Sequence, residues 1–420
     1  MIVHLDLDAF FASAERINNP ALHNRPIAVG GRADPFIFDK KSKSKKVSLQ
    51  NSGAFVPILF HRERKDNFES FFKEKNRTRG IVITSSYEAR AFGIKTGMTL
   101  MEAIKRCPQL IVCVPNHALY HDLSHRLKSY LETKIPSLEQ YSIDEFFGDV
   151  GGWIEDQDIE TFAHTLRKDI EKEFNLPISI GIAKTKWLAK LSTNYAKPEG
   201  VKLLHPKDVS HFIHDIPIEK FPGIGRATQQ KLQHHQKHTL GDIEASKVLL
   251  YSWGNAGKIL YDRVCGLESE KVEHKRDRKS IGISRTFDPL ADRKEIIRRV
   301  VILTRHLIFL VSKLQVFPKT LYVGIRYQYK SSKKQVSFEK LLSEDFLLKR
   351  VKEVFEELDI CPHSDVIRLT ISLTNFQKTA NKYPSLFDFQ EDRLSYNLSQ
   401  KTQILREKYG IDIIKRGSEW

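Results

Sequence analysis

Ile2-Val3-His4-Leu5-Asp6-Leu7-Asp8-Ala9-Phe10-Phe11 opens the chain as an apolar, β-favouring run that carries two acids. A second such run, Tyr141-Ser142-Ile143-Asp144-Glu145-Phe146-Phe147, carries two more. Both read as strands in the middle of a sheet. Adjacent acids at the end of a buried strand are costly unless a cation neutralises them. Carboxylate oxygens are hard ligands, suited to magnesium that keeps water and substrate phosphates in its shell. Side by side, the two clusters could hold two ions about 4 Å apart, the arrangement of in-line phosphoryl displacement. Each alone has a plainer reading. Asp8 can cap a helix over 9–17, and an Asp-Glu pair can be a solvated strand end. Spacing leaves Asp6 and Asp8 equivalent as ligands, since both point to one face of an extended strand.

A length of 420 residues suggests three or four domains. Lys+Arg 68 against Asp+Glu 52 gives a net charge of +16, which favours a polyanionic partner. The excess is concentrated: residues 271–335 hold 17 Lys/Arg and 5 Asp/Glu, a local +12. Cys107, Cys113, Cys265 and Cys361 form no CxxC pair and read as reduced residues of a cytoplasmic protein. No signal peptide is expected before the strand pattern that begins at Ile2. The best membrane candidate, 300–311, is short and contains Arg305 and His306, so no membrane association is expected.

Periodicity outlines the rest. Strands are expected at 26–29, 81–84, 110–114 and 178–182, and helices at 100–107, 119–135, 159–174 and 186–194. Residues 32–79 are polar and lysine-rich, with a possible helix at 66–75. Residues 217–266 read as helices punctuated by glycine. A charged linker over 268–278 precedes a helix at 296–314, strands at 320–329 and 367–376, and a last helix at 398–409.

Several motifs carry chemistry. Phe10 and Phe11 follow Asp6 closely, and a ring beside a nucleotide sugar would exclude a 2′-hydroxyl; the alternative is core packing. In Tyr87-Glu88-Ala89-Arg90-Ala91-Phe92-Gly93, the Arg90 fork suits a triphosphate, with Tyr87 and Thr84 as hydroxyl donors. Lys197, ahead of Pro198, is a further phosphate ligand. Pro222-Gly223-Ile224-Gly225 has the form of a helix-hairpin-helix, which grips a DNA backbone without reading sequence.

Taken in order, these motifs resemble the Y-family of translesion DNA polymerases. The match spans Asp-x-Asp-x-Phe-Phe at 6–11, Tyr-Glu-Ala-Arg-x-Phe-Gly at 87–93, Ser-Ile-Asp-Glu at 142–145, Ala-Lys-Pro-x-Gly at 196–200, Pro-Gly-Ile-Gly at 222–225 and Lys279-Ser280-Ile281-Gly282. The resemblance implies an α+β multidomain, right-hand polymerase. Its domains would be a palm (1–10 and 118–204), fingers (11–117, with an insertion at 32–78), a helix-hairpin-helix thumb (205–270), a linker (271–278), an α+β little finger (279–376) and a C-terminal tail (377–420). It implies that Asp6, the Leu7 carbonyl, Asp144 and Glu145 hold two Mg²⁺ ions, with Asp6 rather than Asp8 as ligand. Phe11 would discriminate the sugar. Phe10, Thr84, Tyr87, Arg90 and Lys197 would meet the dNTP, and Gly223, Gly225, Lys279, Ser280 and Arg285 the primer-template DNA. Low fidelity without a proofreading exonuclease is also implied.

The chain departs from the family pattern in three places. Residues 32–78 form a long insertion where a short loop is usual. Ser284 stands at a position commonly glutamate. Tyr383-Pro384-Ser385-Leu386-Phe387 looks like a sliding-clamp peptide anchored by Leu386 and Phe387, but tyrosine replaces its leading glutamine. A monomer that engages the sliding clamp is expected. The rivals are the catalytic subunit of a polymerase V type complex, a non-catalytic clamp and DNA adaptor, and a helix-hairpin-helix nuclease. The joint presence of Asp6, Asp144 and Glu145 argues against the adaptor, and Phe10-Phe11 with the dNTP-contact set disfavours the nuclease.

Overall fold

The computed structural model describes residues 1–32, 37–39, 46–48, 59–61, 67–74, 77–274, 277–377 and 389–419. The clamp-like segment 383–387 and most of the lysine-rich run at 40–46 lie outside them. Contacts divide the chain into two units: residues 1–31, 54–56 and 81–276 in one, and 32–53, 57–80 and 277–420 in the other.

The first unit is built on β1 (Ile2–Leu7), whose six residues are all buried, as expected for a central strand. From Leu7 the chain turns sharply through Ala9, which adopts the left-handed conformation (φ 47°), into α1 (Phe10–Asn18). β2 (Ile27–Gly31), β3 (Ile81–Ser85) and β4 (Ile111–Cys113) form a three-stranded sheet with β2 in the middle. Two short helices, α2 (Tyr87–Ala91) and α3 (Leu100–Arg106), lie between β3 and β4 in the chain. Both begin at side-chain caps, Ser86 and Thr99.

After α4 (His117–Lys134) come β5 (Ser137–Gln140), β6 (Glu145–Asp149), α5 (Ile159–Phe174), β7 (Ile178–Ala183), α6 (Lys186–Ala196) and β8 (Val201–Leu203). They close a five-stranded sheet in the order β8-β7-β1-β6-β5. α6 lies directly on β7. A Cβ at Gly181 would stand 2.2 Å from the Ala189 carbonyl oxygen and 2.4 Å from the Thr193 nitrogen, so only glycine admits this approach.

The same unit continues into a set of short helices, α7 (Val209–Ile213), α8 (Arg226–His234), α9 (Leu240–Glu244), α10 (Lys247–Ser252) and α11 (Asn255–Val264). Apolar residues of these helices and of the turn at 218–221, among them Ile218, Phe221, Leu232, Ile243 and Leu250, share one core with Trp187 and Leu188 of α6. Part of the segment expected as a linker is anchored to this unit: the Trp187 amide donates to Glu268 (3.0 Å) and the Glu273 amide to Glu139 (2.8 Å).

The second unit is a four-stranded antiparallel sheet, ordered β9-β12-β10-β11, from β9 (Ser280–Leu290), β10 (Phe317–Tyr327), β11 (Ser331–Ser337) and β12 (Val366–Gln377). α12 (Arg293–Leu314) and α13 (Glu344–Leu358) share its apolar core, and α14 (Phe389–Tyr409) follows. The described parts of the 32–78 insertion belong here rather than to the sheet they interrupt. Ile37 enters the core, Arg299 lies 4.7 Å from the Phe38 ring and 4.5 Å from Phe287, and Arg298 donates to the Phe38 carbonyl (2.8 Å).

Candidate active site and basic sheet face

The register of β1 against β6 sets Asp6 directly opposite Glu145. Like charges opposed across a ladder repel at about 4.5–5.5 Å between their Cβ atoms. Asp144 occupies the turn before β6, and its carbonyl accepts from the Leu7 amide at 3.1 Å. Three carboxylates expected from the sequence are thus gathered at one end of the central strands. Asp6 is buried, and that burial pushes its carboxyl up to about 7. The Lys197 ammonium opposes the rise, whereas Glu145 and Asp144 add to it. Burial raises Asp144 too, against a hydrogen bond from the Ser142 hydroxyl at 2.5 Å.

Lysines supply the counter-charge. Lys197 donates to Asp6 Oδ1 at 2.6 Å, and Lys190 of α6 pairs with Glu145. Lys190 also stands over the Tyr141 ring, 5.1 Å from its centroid. Among the described residues no three histidine, cysteine or carboxylate groups converge to hold an ion as they stand. The donor set nevertheless fits a hard divalent cation: oxygen ligands only, in mutual repulsion and partly desolvated. His4 lies beneath the cluster with Nε2 4.0 Å from Glu145. Burial, with Lys190, Lys197 and Lys186 nearby, holds it neutral, well below the usual histidine range.

Asp8 serves a different purpose from Asp6. The strand has ended at Leu7, so Asp8 turns away and is spent on three donors: Tyr87 Oη (3.1 Å), Ser179 Oγ (2.6 Å) and the Glu199 amide (2.8 Å). It ties α2 and the loop carrying Lys197 to the end of β1. Phe10 and Phe11 are both buried, and Phe11 stacks on Tyr120 with centroids 4.3 Å apart and planes at 11°. Arg90 places its guanidinium 4.7 Å from the Tyr87 centroid and donates from Nε to the Ser85 carbonyl (3.1 Å). Thr84 pairs across the ladder with Val29. Sequence reasoning missed Lys190, Lys186 and Ser179. Lys186 forms a buried 2.6 Å ion pair with Glu139. The available signal was Lys186 and Lys190 one turn apart on the helix following β7.

In the hairpin, Gly223 takes φ 98° and Gly225 caps α8, so the backbone turn suits a close approach by phosphate. In the second unit, Ser280 and Ser284 lie on the outward parity of β9. Arg285 alternates onto the face of Ile281 and Ile283 and is half-buried, and Lys279 precedes the strand. The outward face carries a second like-charge pair that sequence reasoning did not single out, Arg326 opposite Arg368. Tyr322, Tyr329, Lys330 and Lys333 join them around a concavity of about 400 Å³. Opposed cations on an open face suit a polyanion.

Residues 5–194 match the impB/mucB/samB family, 278–386 match that family's C-terminal domain, and 206–236 match its helix-hairpin-helix motif. DNA polymerase IV of Glaesserella parasuis is 31% identical over 304 residues, covering 71% of this chain and 73% of the relative. The chain belongs to the Y-family of translesion DNA polymerases. DNA polymerase IV of Lactococcus lactis is 29% identical over 386 residues (89% and 94% covered), and that of Staphylococcus aureus 27% over 394 (92% and 98%). Among solved structures, a Y-family polymerase chimera of Dbh has a TM-score of 0.72 at 24% identity over 90% of this chain and 100% of its own. DinB from Sulfolobus solfataricus has a TM-score of 0.53 at 23% identity, with 89% and 99% covered. Among the described residues no helix is long and apolar enough to cross a membrane.

Proposed function

We propose that this Y-family polymerase is catalytically active and adds dNTPs to the 3′-hydroxyl of a primer opposite damaged template bases. The observation that carries the reading is Asp6 held opposite Glu145, with Asp144 at the adjoining turn. Asp6, the Leu7 carbonyl, Asp144 and Glu145 would hold two Mg²⁺ ions. When bound, these supply charge neutralisation at the attacking hydroxyl and the departing pyrophosphate. In the reaction the primer 3′-oxygen attacks the α-phosphorus, the α–β P–O bond breaks, and the hydroxyl proton passes to solvent.

The chain's own residues bind and orient. Lys197, already bonded to Asp6, presents an ammonium beside the acids for a triphosphate. Asp8 fixes Tyr87 and the Lys197 loop, with Arg90 and Thr84 completing the phosphate contacts. Phe11, backed by Tyr120, excludes the 2′-hydroxyl. In this reading the five-stranded sheet is the palm, the three-stranded sheet the fingers, the helices of 205–270 the thumb and the four-stranded sheet the little finger. Gly223, Gly225, Lys279, Ser280 and Arg285 meet DNA, joined by Arg326 and Arg368. Leu386 and Phe387 would engage the sliding clamp, and the chain would act as a monomer in the cytoplasm.

Primer extension by the purified protein with Mg²⁺ and dNTPs tests this. Template-directed addition is expected from the wild type, and a loss of at least about 10³-fold from Asp144→Ala with primer-template binding retained. Substantial extension by Asp144→Ala would remove the carboxylates from the mechanism.

A further inference from the structure

α14 is amphipathic with its polarity reversed. At 100° per residue, Ser399, Gln403 and Arg406 fall on one face, and all three are buried. That inward face is held by polar contacts. Ser399 accepts from the Glu344 amide (2.8 Å), Ser395 meets Ser343 (2.9 Å), and Arg406 pairs with Glu344 (2.5 Å). A flank about 115° round from that inward face carries Leu394, Leu398, Leu405 and Tyr409, and Ile404 lies on the other flank; all five remain 44–69% exposed. Leu394, Leu398, Leu405 and Tyr409 lie within about 60° of one another and form a stripe roughly 22 Å long. A roll of the helix that buried the leucines would break the Arg406–Glu344 pair. Arg416, bonded to the same Glu344 (2.9 Å), and Arg305, bonded to Asp412 (2.8 Å) and Glu419 (2.9 Å), fix the chain just beyond the helix. An isolated exposed leucine is ordinary on a monomer, but an apolar stripe of this length is not.

We propose that the outward face of α14 docks a folded protein partner that presents an apolar groove rimmed by carboxylates. The charge pattern selects that chemistry. Lys401 and Lys408 are exposed along one edge of the stripe, and Glu391 is the single acid on it, at its N-terminal end before Leu394, so the charge beside the leucines is net positive. A groove with acidic walls would receive both, as in other helix-in-groove interfaces. A second copy of this chain is a poor occupant. Parallel pairing would set Lys401 on Lys401 and Lys408 on Lys408, and antiparallel pairing about the stripe's midpoint would bring the two Lys401 side chains together. Nucleic acid has no use for five apolar side chains.

The test uses the full chain in its native cells, with photo-reactive benzoylphenylalanine in place of Leu398 and, as a surface control, of Val248. The cross-linked protein is then purified separately and titrated against the wild-type chain. Leu398→Glu with Leu405→Glu should weaken that purified complex at least about tenfold. Lys401→Glu with Lys408→Glu should weaken it at low salt, by a factor that shrinks as salt rises. Both pairs should keep basal primer extension and the melting temperature. If the glutamate pair unfolds the chain, Leu398→Ser with Leu405→Ser replaces it. Four results would each overturn the proposal: cross-links between copies with a concentration-dependent dimer mass; cross-links to 378–388 of the same chain; flotation with phosphatidylglycerol vesicles that the glutamate pair abolishes; or no product above the Val248 control.

Discussion

Substituting Asp6 and Asp8, two residues apart, should have opposite consequences. Asp8→Ala strands three donors, the Tyr87 and Ser179 hydroxyls and the Glu199 amide, all now bonded to one buried carboxylate. A hydrogen bond to a charged group is worth about 1.5–3 kcal/mol net, so the naive loss is roughly 5–9 kcal/mol. Recovery of the desolvation of Asp8 itself and entry of water reduce this to about 3–5 kcal/mol, the scale for breaking a buried charged network. Asp8→Asn should cost only about 1 kcal/mol. Ser179 and Glu199 share Oδ2, so the amide oxygen can serve both while its NH₂ meets the Tyr87 oxygen, which can also accept. Asp6→Asn should instead stabilise the metal-free protein by about 1–2 kcal/mol. A carboxyl held near pH 7 implies a cost of roughly 4 kcal/mol for its ionised form, lessened because Lys197 adjusts with it.

The sign of that effect follows from the raised carboxyl. The contribution of Asp6 to wild-type stability is most favourable below about pH 4 and falls as pH rises towards about 7, so the advantage of Asp6→Asn opens across that window. The assay is urea unfolding in EDTA, followed by tryptophan fluorescence. Trp153, Trp187 and Trp253 lie in the first unit, so its transition dominates the signal. Magnesium should raise the midpoint of the wild type and leave Asp6→Asn unmoved. In single-turnover extension Asp6→Asn should be inactive, while folded Asp8→Asn should retain chemistry at a reduced rate. An Asp8→Ala midpoint within about 0.5 kcal/mol of wild type, or an Asp6→Asn enzyme that extends normally, would refute the division of labour.

Phe11→Ala should incorporate ribonucleotides with a smaller change in dNTP use, since it relieves a clash without removing a ligand; single-nucleotide kinetics with paired rNTP and dNTP measure the ratio. Ending the chain after residue 276, beyond the anchored Glu273, should leave a folded first unit whose primer-template affinity is weaker and less salt-dependent, as read by fluorescence anisotropy. Burial pushes Glu268 up to about 7, so Glu268→Gln should raise the melting temperature at pH 8 and leave it unchanged at pH 4, because the cost of ionising Glu268 appears only as pH rises through that value. Leu386→Ala with Phe387→Ala should abolish clamp-stimulated processivity while basal extension persists.

The parts legible in the sequence are those whose signal is local. β1, α5 and β7 follow their apolar periodicity, and the two acidic runs become neighbouring strands because each is a buried run ending in charge. α13 is equally legible, with Ser343 as cap and Leu347, Val351, Val354, Phe355 and Leu358 on one side. β5 (Ser-Leu-Glu-Gln) and β11 (Ser-Ser-Lys-Lys-Gln-Val-Ser) are edge strands too polar to announce themselves. α14 was expected only from residue 398, whereas it begins at Phe389. A helix that buries serine, glutamine and arginine shows no inward apolar stripe to read.

The charge assignments were the harder part, for a related reason. Alternation made Asp6 and Asp8 equivalent, and that equivalence fails because the strand stops at Leu7 and Ala9 turns the chain. Lys190 and Lys186 find Glu145 and Glu139 some 45 and 47 residues away, so neither pairing has a signature in either segment. The same long-range register sets Asp6 against Glu145 and Arg326 against Arg368. Folding alone gives no reason to oppose like charges, since replacing one member of either pair would relieve repulsion. Their retention is accounted for if cations settle on the acids and a phosphate backbone on the arginines. The places where the chain is least at ease with itself are then the places where its substrates bind.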